Sequence, residues 1–304
     1  MGSQDIKTIR MMLAGLQSAA EPTLEELRQR YDGVSMMYPV PAAVTVEAIE
    51  AGGVRAERLR AADAVPGRTV LYLHGGGYAI GSPVSHRHLA GAIATAAGAT
   101  LIVPDYRLAP EHPYPAAIQD AVAGYRGLLA SGQDPAALVV AGDSAGGGLT
   151  LGTLISARDQ GLPLPAAAVL ISPWVDLAGT GATLESLAAR DPIVQKAGLS
   201  DMARYYLGER DPRLPLASPL YADLGGLPPL LIQVGSDEVL LDDARRLHQR
   251  AQEQGVRTTL EVWEEMIHVW HFFYPKLQEG REAIQRLGQY IRDHVAGLPA
   301  PAFA

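Results

Sequence analysis

The chain has 304 residues, of which 48% are hydrophobic and 19% are charged, a composition typical of a soluble globular protein rather than a disordered one. The formal net charge of -8 argues against nucleic acid as a partner, because phosphate binding requires a clustered basic surface. The chain contains no cysteine, which excludes disulfides, cysteine nucleophiles and thiolate-bound metals.

The amino-terminal segment lacks the pattern of a secretory signal. Its longest apolar run, residues 11–16, is too short for a signal core, and Asp5 precedes it where basic residues should dominate. No stretch approaches the roughly 20 apolar residues of a membrane span. We therefore expect a cytoplasmic protein with no membrane partner.

Short apolar runs alternate with helical patterns from about residue 68 onward. Several runs lack polar alternation, as is typical of strands buried on both faces of a mainly parallel sheet. The predicted strands are 70–73, 100–103, 138–141, 169–171, 230–234 and 259–263, with an antiparallel edge hairpin at 44–49 and 55–59. The predicted helices are 87–97, 116–130, 145–160, 242–254 and 282–294. This order predicts an α/β fold with helices on both faces of a mostly parallel central sheet.

Two segments depart from this alternation. Residues 1 to about 43 contain two helical stretches, and the second begins at Thr23 with a capping-box pattern completed by Glu26. Residues from about 179 to 222 lie between two core strands and are helical with interrupting prolines. We predict a single domain over residues 1–304, in which these two segments, called the cap segments below, cover one end of the sheet.

The G-x-S-x-G motif at residues 142–146 carries the clearest chemical signal. It follows the apolar strand 138–141 and opens the helix that begins at Ala145, which is the context that a nucleophilic serine requires. The glycines on either side of Ser144 leave room for the neighbouring strand and helix, and the helix amino terminus favours negative charge. We predict Ser144 as the nucleophile. The alternative is a glycine-rich turn whose serine merely caps a helix.

A second glycine-rich motif, HGGG at residues 74–77, directly follows the strand 70–73. Together with the Ala145 amide, the backbone N–H groups of Gly76 and Gly77 are predicted to form an oxyanion hole. A dinucleotide fingerprint would need glycine at position 80, where Ile80 stands, and no Walker lysine follows. We therefore predict no nucleotide cofactor.

Three motifs together resemble a known family. HGGGY at 74–78, DYRLAPE at 105–111 and GDSAGG at 142–147, in this order and spacing, are similar to the hormone-sensitive-lipase-like (family IV) esterases of bacteria. The resemblance covers nearly the whole chain. It implies an α/β-hydrolase core with a helical cap, no cofactor, a structural role for DYRLAPE, and esters of short to medium acyl chains as substrates.

The base is sought late in the chain, because the order in this fold is serine, acid, histidine. His268 follows the strand 259–263 in a loop before a helix and is the predicted base, with His271 as the alternative. A metal site at these two histidines would lack nearby carboxylate ligands, so no metal is predicted.

The acid lies in the loop after the strand 230–234. The family pattern Asp-x-Leu-x-Asp, aligned on Leu240 and Asp242, implies that Glu238 is the catalytic carboxylate. This glutamate departs from the aspartate usual in the family, although the fold accepts either acid. Asp237 remains the alternative.

These residues predict a carboxylesterase that acts on a small-molecule ester through an acyl-enzyme. A lactone hydrolase on the same fold is an alternative that the sequence does not separate. A catalytically inactive ligand-binding module is disfavoured, because Ser144, an acid and His268 are all present. The sequence leaves open whether the chain forms a homodimer. Four aromatic residues are candidates for the acyl pocket or for ordinary packing: Tyr78, Trp174, Tyr205 and Tyr206.

Overall fold

A single mixed sheet forms the centre of the fold. The computed structural model describes residues 3–15 and 22–295; residues 1–2, 16–21 and 296–304, which belong to the first cap segment and to the ends of the predicted domain, lie outside the described residues. Within the described part, the strands are β1 (Val44–Ala51), β2 (Val54–Ala61), β3 (Thr69–Leu73), β4 (Thr100–Pro104), β5 (Leu138–Asp143), β6 (Ala167–Ile171), β7 (Leu230–Gly235) and β8 (Thr258–Trp263).

The strand order across the sheet is β1-β2-β4-β3-β5-β6-β7-β8. Strands β3 to β8 pair in parallel, whereas the hairpin β1-β2 is antiparallel and joins the sheet at one edge through an antiparallel pairing of β2 with β4. The predicted mostly parallel sheet and its antiparallel edge hairpin are thus confirmed.

Helices connect the strands and cover both faces of the sheet. In chain order the helices of the described residues are α1 (Gln4–Gly15), α2 (Leu24–Met37), α3 (Pro83–Ala97), α4 (Ala116–Ala130), α5 (Ala145–Asp159), α6 (Thr183–Ser186), α7 (Lys196–Leu207), α8 (Leu241–Glu253) and α9 (Gln278–His294).

The core has two layers because alternate residues of each strand point to opposite faces. In β3, Leu71 and Leu73 belong to the layer that holds buried residues of α4, α5 and α8. Val70 and Tyr72 belong to the layer that holds buried residues of α3 and α9. All four side chains are fully buried, which explains why this strand reads as an unbroken apolar run.

Local signals set the ends of several helices. The Thr23 side chain accepts from the Glu26 backbone, and the Glu26 carboxylate accepts from the Thr23 backbone, so the predicted capping box is confirmed. Ser82 caps α3 in the same reciprocal way with Ser85, and Gly98 ends that helix in the left-handed conformation with φ of 56°.

The two cap segments contain α1, α2, α6 and α7. Helix α7 lies over the glycine-rich loop after β3, because a Cβ on Gly77 would come within 2.7 Å of the Met202 side chain. Helix α1 reaches the loop after β7 through Arg10, which pairs with Asp237. No helix among residues 3–15 and 22–295 is long and apolar enough to span a bilayer.

Candidate active site

Ser144 stands on a sharp turn between β5 and α5. Its backbone has φ of 53° and ψ of -121°, a conformation that L-residues rarely adopt and that persists only when the surroundings enforce it. A Cβ on Gly146 would lie 1.9 Å from the Leu73 carbonyl oxygen, and one on Gly142 would lie 2.3 Å from the Gly146 carbonyl oxygen. The two glycines therefore allow strand and helix to meet closely, while the half-exposed Ser144 projects from buried neighbours.

His268 and Glu238 come together at the carboxyl edge of the sheet. His268 follows β8, Glu238 follows β7, and His268 Nδ1 lies 3.0 Å from Glu238 Oε2. Glu238 is fully buried and His268 is 6% exposed. Since Nδ1 faces the carboxylate, it carries the proton when the ring is neutral, and Nε2 is left to accept one.

The other carboxylate oxygen of Glu238 is held by two donors. Glu238 Oε1 accepts from Ser172 Oγ at 2.7 Å and from the Gly235 amide at 2.6 Å. Ser172 Oγ in turn accepts from the Val269 amide at 3.1 Å, next to His268. One serine at the end of β6 thereby connects the acid loop with the histidine loop.

Ser172 is a site residue that sequence reasoning missed. Its neighbour Ile171 accepts a hydrogen bond from the Ser144 amide at 2.8 Å, so these contacts also reach the turn at Ser144. Ser172 also has a positive φ of 45°. An isolated serine after a buried strand gives no sequence signal that it will connect the acid loop with the histidine loop.

The environment of His268 favours its predicted role as a base. Burial alone would lower the pKa of His268, but the hydrogen bond and charge of Glu238, followed by the charges of Asp191 and Asp143, outweigh burial and raise that pKa above its ordinary value. Burial raises the pKa of Glu238 and is opposed by its hydrogen bonds with His268, Ser172 and Gly235. The carboxylate thus depends on these partners to stay ionised.

The two alternatives from sequence lie elsewhere. Asp237 faces away from His268, and its carboxylate pairs with Arg10 and, at 2.5 Å, with Arg190. His271 is buried, with Nε2 2.8 Å from Gln233 Oε1. Burial lowers the pKa of His271 to about 3.

The HGGG loop lies beside the turn at Ser144. Gly76 and Gly77 have φ of 115° and 60°, which glycine adopts without strain, and both are half-exposed. The Gly75 amide donates to Asp143 Oδ1 at 3.1 Å, and Tyr72 donates to the same oxygen at 2.8 Å. Asp143, the residue before Ser144, therefore fixes the loop relative to the turn at Ser144.

Aromatic stacking also supports the HGGG loop. The ring of His74 stacks on that of Tyr106 at 4.2 Å, and Tyr106 donates to the His74 carbonyl at 2.7 Å. Burial, followed by repulsion from His86, lowers the pKa of His74 to about 3. His74 is thus a neutral orienting residue at the start of the loop. Tyr106 belongs to the DYRLAPE stretch, whose predicted structural role this contact supports.

Comparison with known proteins identifies the family. A family model described as the α/β-hydrolase fold matches residues 70–272. The crystal structure of an esterase from the bacterial hormone-sensitive lipase family superposes with a TM-score of 0.95 at 45% identity, covering 97% of this chain and 100% of that one. The chain belongs to the hormone-sensitive-lipase-like family of α/β-hydrolases. The resemblance predicted from the three motifs is therefore confirmed.

Relatives of this hydrolase match over almost the full length. An acetyl-hydrolase of Streptomyces hygroscopicus is 48% identical over 292 residues, which make up 96% of this chain and 97% of the relative. The crystal structure of EstE5 soaked with p-nitrophenyl butyrate superposes with a TM-score of 0.94 at 45% identity, covering 97% of this chain and 100% of that one.

An apolar cavity of about 170 Å³ opens beside His268 in this hydrolase. Side chains from α1, α2, the second cap segment and the histidine loop line it, and nearly all of the surface they present is apolar: Met12, Leu13, Tyr31, Met37, Tyr38, Ile193, His268, Val269, Phe272 and Phe273. Both cap segments thus contribute to a pocket that reaches the predicted base.

Three of the four aromatic candidates from sequence pack against one another. Tyr78 stacks on Tyr206 of α7 with ring centroids 3.9 Å apart and an interplanar angle of 5°. Trp174 is tilted against Tyr78 at 6.2 Å, and all three side chains are buried. These residues therefore attach the second cap segment to the HGGG loop, whereas Tyr205 is only partly buried against the core.

Proposed function

We propose that this hydrolase is a serine carboxylesterase in which Ser144 is the nucleophile, His268 the general base and Glu238 the acid that orients the base. The observation that carries this proposal is the buried pairing of His268 Nδ1 with Glu238 Oε2 at 3.0 Å, at the same sheet edge as the strained turn of Ser144. A nucleophile, a base and an orienting group are the parts that acyl transfer requires.

Acylation starts with proton transfer from Ser144 to His268 Nε2 as Ser144 Oγ attacks the ester carbonyl. Glu238 holds the imidazole in the tautomer with Nε2 free and stabilises the positive charge that it gains. The tetrahedral intermediate then collapses, and His268 gives the proton to the departing alcohol. Water, activated by the same histidine, hydrolyses the acyl-enzyme and regenerates Ser144.

The negative charge on the carbonyl oxygen needs preorganised donors. We assign this role to the backbone amides of Gly76, Gly77 and Ala145. Support comes from the position of Ala145 as the first residue of α5, where helix N–H groups lack intrahelical acceptors. Further support comes from the hydrogen bonds of Asp143, which fix the glycine loop beside the nucleophile.

The cavity volume supports esters of short to medium acyl chains. A volume of about 170 Å³ is below the roughly 300–1,000 Å³ of pockets that hold drug-sized ligands, so the cavity suits a small apolar acyl group. The acetyl-hydrolase and EstE5 relatives agree with this class. We propose that the two cap segments act as one cap that bounds the cavity within a single domain.

A series of 4-nitrophenyl esters from acetyl to palmitoyl, with a lactone beside it, tests this proposal. We expect the highest kcat/KM for short or medium chains, and no comparable hydrolysis by Ser144→Ala protein of unchanged circular dichroism. A maximum on palmitoyl esters that appears only above the micellar threshold would contradict the proposed class. A preference for the lactone would instead favour lactone hydrolysis by the same residues.

Location and assembly are further parts of the proposal. A cytoplasmic location and small-molecule esters as partners agree with the sequence reasoning. Cell fractionation of the native host tests the location. Size-exclusion chromatography with light scattering tests whether the chain is a monomer or a homodimer.

A further inference from the structure

Two adjacent residues of the second cap segment contact the acid loop on both sides of Glu238. Arg190 pairs with Asp237 at 2.5 Å. Asp191 Oδ2 accepts a hydrogen bond from the Val239 amide at 3.0 Å. The cap segment therefore holds both chain neighbours of the catalytic carboxylate.

Hydrogen bonds within its own loop hold the Asp191 side chain in this position. Its other oxygen, Oδ1, accepts from the amides of Ile193 at 2.9 Å and Val194 at 3.0 Å. The side chain is buried, with Asp191 only 2% exposed. A carboxylate that accepts three backbone hydrogen bonds is fixed in direction, so it transmits the position of the cap segment to the acid loop.

The first cap segment joins the same contact through Arg10 of α1. Arg10 Nη1 donates to the Arg190 carbonyl at 2.6 Å, and Arg10 Nη2 donates to the Glu265 carbonyl at 3.1 Å and pairs with Asp237. Because Glu265 precedes His268 by three residues, Arg10 connects both cap segments with the loops of the acid and the base.

We propose that Asp191 is a positioning residue that fixes the acid loop around Glu238 from the cap and places a second negative charge near His268. The inference rests on the proposed function, because it assigns Asp191 a part in orienting the proposed triad. Asp191 does not touch the ester; it acts through Glu238 and His268.

The charged and titratable groups around His268 come from several elements. Glu238 contacts it from the loop after β7, the charge of Asp143 at the end of β5 also acts on it, and His271 follows it in its own loop. Tyr31 of α2 lines the cavity beside His268, and burial raises its pKa, so it stays neutral. Asp191 is the charged member of this set that belongs to a cap segment. Its negative charge favours the protonated imidazole, so its removal should lower the pKa of His268.

The test compares Asp191→Asn with wild type in the pH profile of kcat/KM for 4-nitrophenyl butyrate. We expect the acid limb to move to lower pH by about half a unit. At the alkaline plateau we expect kcat to fall on the order of tenfold with KM nearly unchanged, because Glu238 is held less firmly. The matched control is Asp201→Asn, which removes a carboxylate of α7 that is paired with Arg204 and 53% exposed; its acid limb should coincide with that of wild type.

Asp191→Ser is the second variant, because a serine hydroxyl still accepts from the following amides and is neutral. A reduced kcat with an unmoved acid limb in both variants would overturn the proposal and leave Asp191 a purely structural residue. Loss of the fold in both, with Asp201→Asn folded, would overturn it as well. These failures differ from failure of the proposed function, in which wild-type protein itself would not hydrolyse the ester.

Discussion

Replacing Glu238 by glutamine tests the acid assignment in detail, because the structure fixes how the new amide would lie. In the native protein Oε1 accepts from Ser172 Oγ and from the Gly235 amide, and Oε2 faces His268 Nδ1. The Gly235 N–H cannot rotate away, so the amide oxygen of glutamine must occupy the Oε1 position. Its NH₂ group then faces His268.

This orientation forces His268 into the wrong tautomer. An NH₂ donor opposite Nδ1 requires Nδ1 to accept, which moves the ring proton to Nε2, the atom that must accept the proton of Ser144. In serine proteases the corresponding change lowers kcat by about 10⁴. We expect Glu238→Gln to lower kcat by about 10³ to 10⁴, which amounts to roughly 4–5.5 kcal/mol of transition-state stabilisation.

Asp237→Asn is the matched control. Asp237 pairs with Arg10 and Arg190 rather than with His268, so its amide variant should lose less than about tenfold in kcat. The assay is steady-state hydrolysis of 4-nitrophenyl butyrate by proteins shown to be folded by circular dichroism. A larger loss for Asp237→Asn than for Glu238→Gln would contradict the assignment of Glu238 and make Asp237 the acid.

Three further predictions follow from the same structure. First, kcat/KM should fall as the pH drops through a value above the ordinary imidazole pKa of about 6.5, since the pKa of His268 is raised; a flat profile down to pH 4 in folded protein would contradict a histidine base. Second, burial lowers the pKa of His271 in the folded protein to about 3, whereas the same group in the unfolded chain has a pKa of about 6.5. As the pH falls below about 6.5, only the unfolded state gains a proton at His271, so the protein loses stability that it has at higher pH. Between pH 7.5 and 5.5 the free energy of unfolding in urea should fall by about 1.4 kcal/mol more for wild type than for His271→Gln; an equal fall in both would refute this. Third, EDTA should leave activity unchanged, because the proposed chemistry needs no metal; loss restored by a divalent ion would show a missed site.

The sheet could be predicted from sequence because its central strands are buried on both faces and therefore read as apolar runs. The ends of the helices are harder to predict from the sequence than the strands. The structure begins α3 at Pro83, whereas the sequence predicts a start at residue 87. The run of polar residues at 85–88 hides the helical periodicity, although Ser82 and Pro83 form a helix-start signal.

The residues of the candidate site also differ in how well the sequence predicts them. Ser144 and the glycine loop have short contiguous motifs, because strand and helix must meet there in one local geometry. Glu238 is distinguished from Asp237 only by matching the family pattern Asp-x-Leu-x-Asp. Adjacent loop residues have no hydrophobic periodicity that would show which side chain points into the protein. The contacts of Ser172 and Asp191 with the acid loop join distant parts of the chain, at separations of 66 and 48 residues, and no local pattern encodes them.

Covalent labelling tests whether Ser144 is the nucleophile of this hydrolase. The protein is incubated with a 4-nitrophenyl phosphonate ester, digested with protease and mapped by mass spectrometry. We expect one adduct per chain, on Ser144, with loss of activity in proportion to labelling and no adduct in Ser144→Ala. An adduct on another residue that abolishes activity, or ester hydrolysis at the wild-type rate by Ser144→Ala, would contradict this assignment.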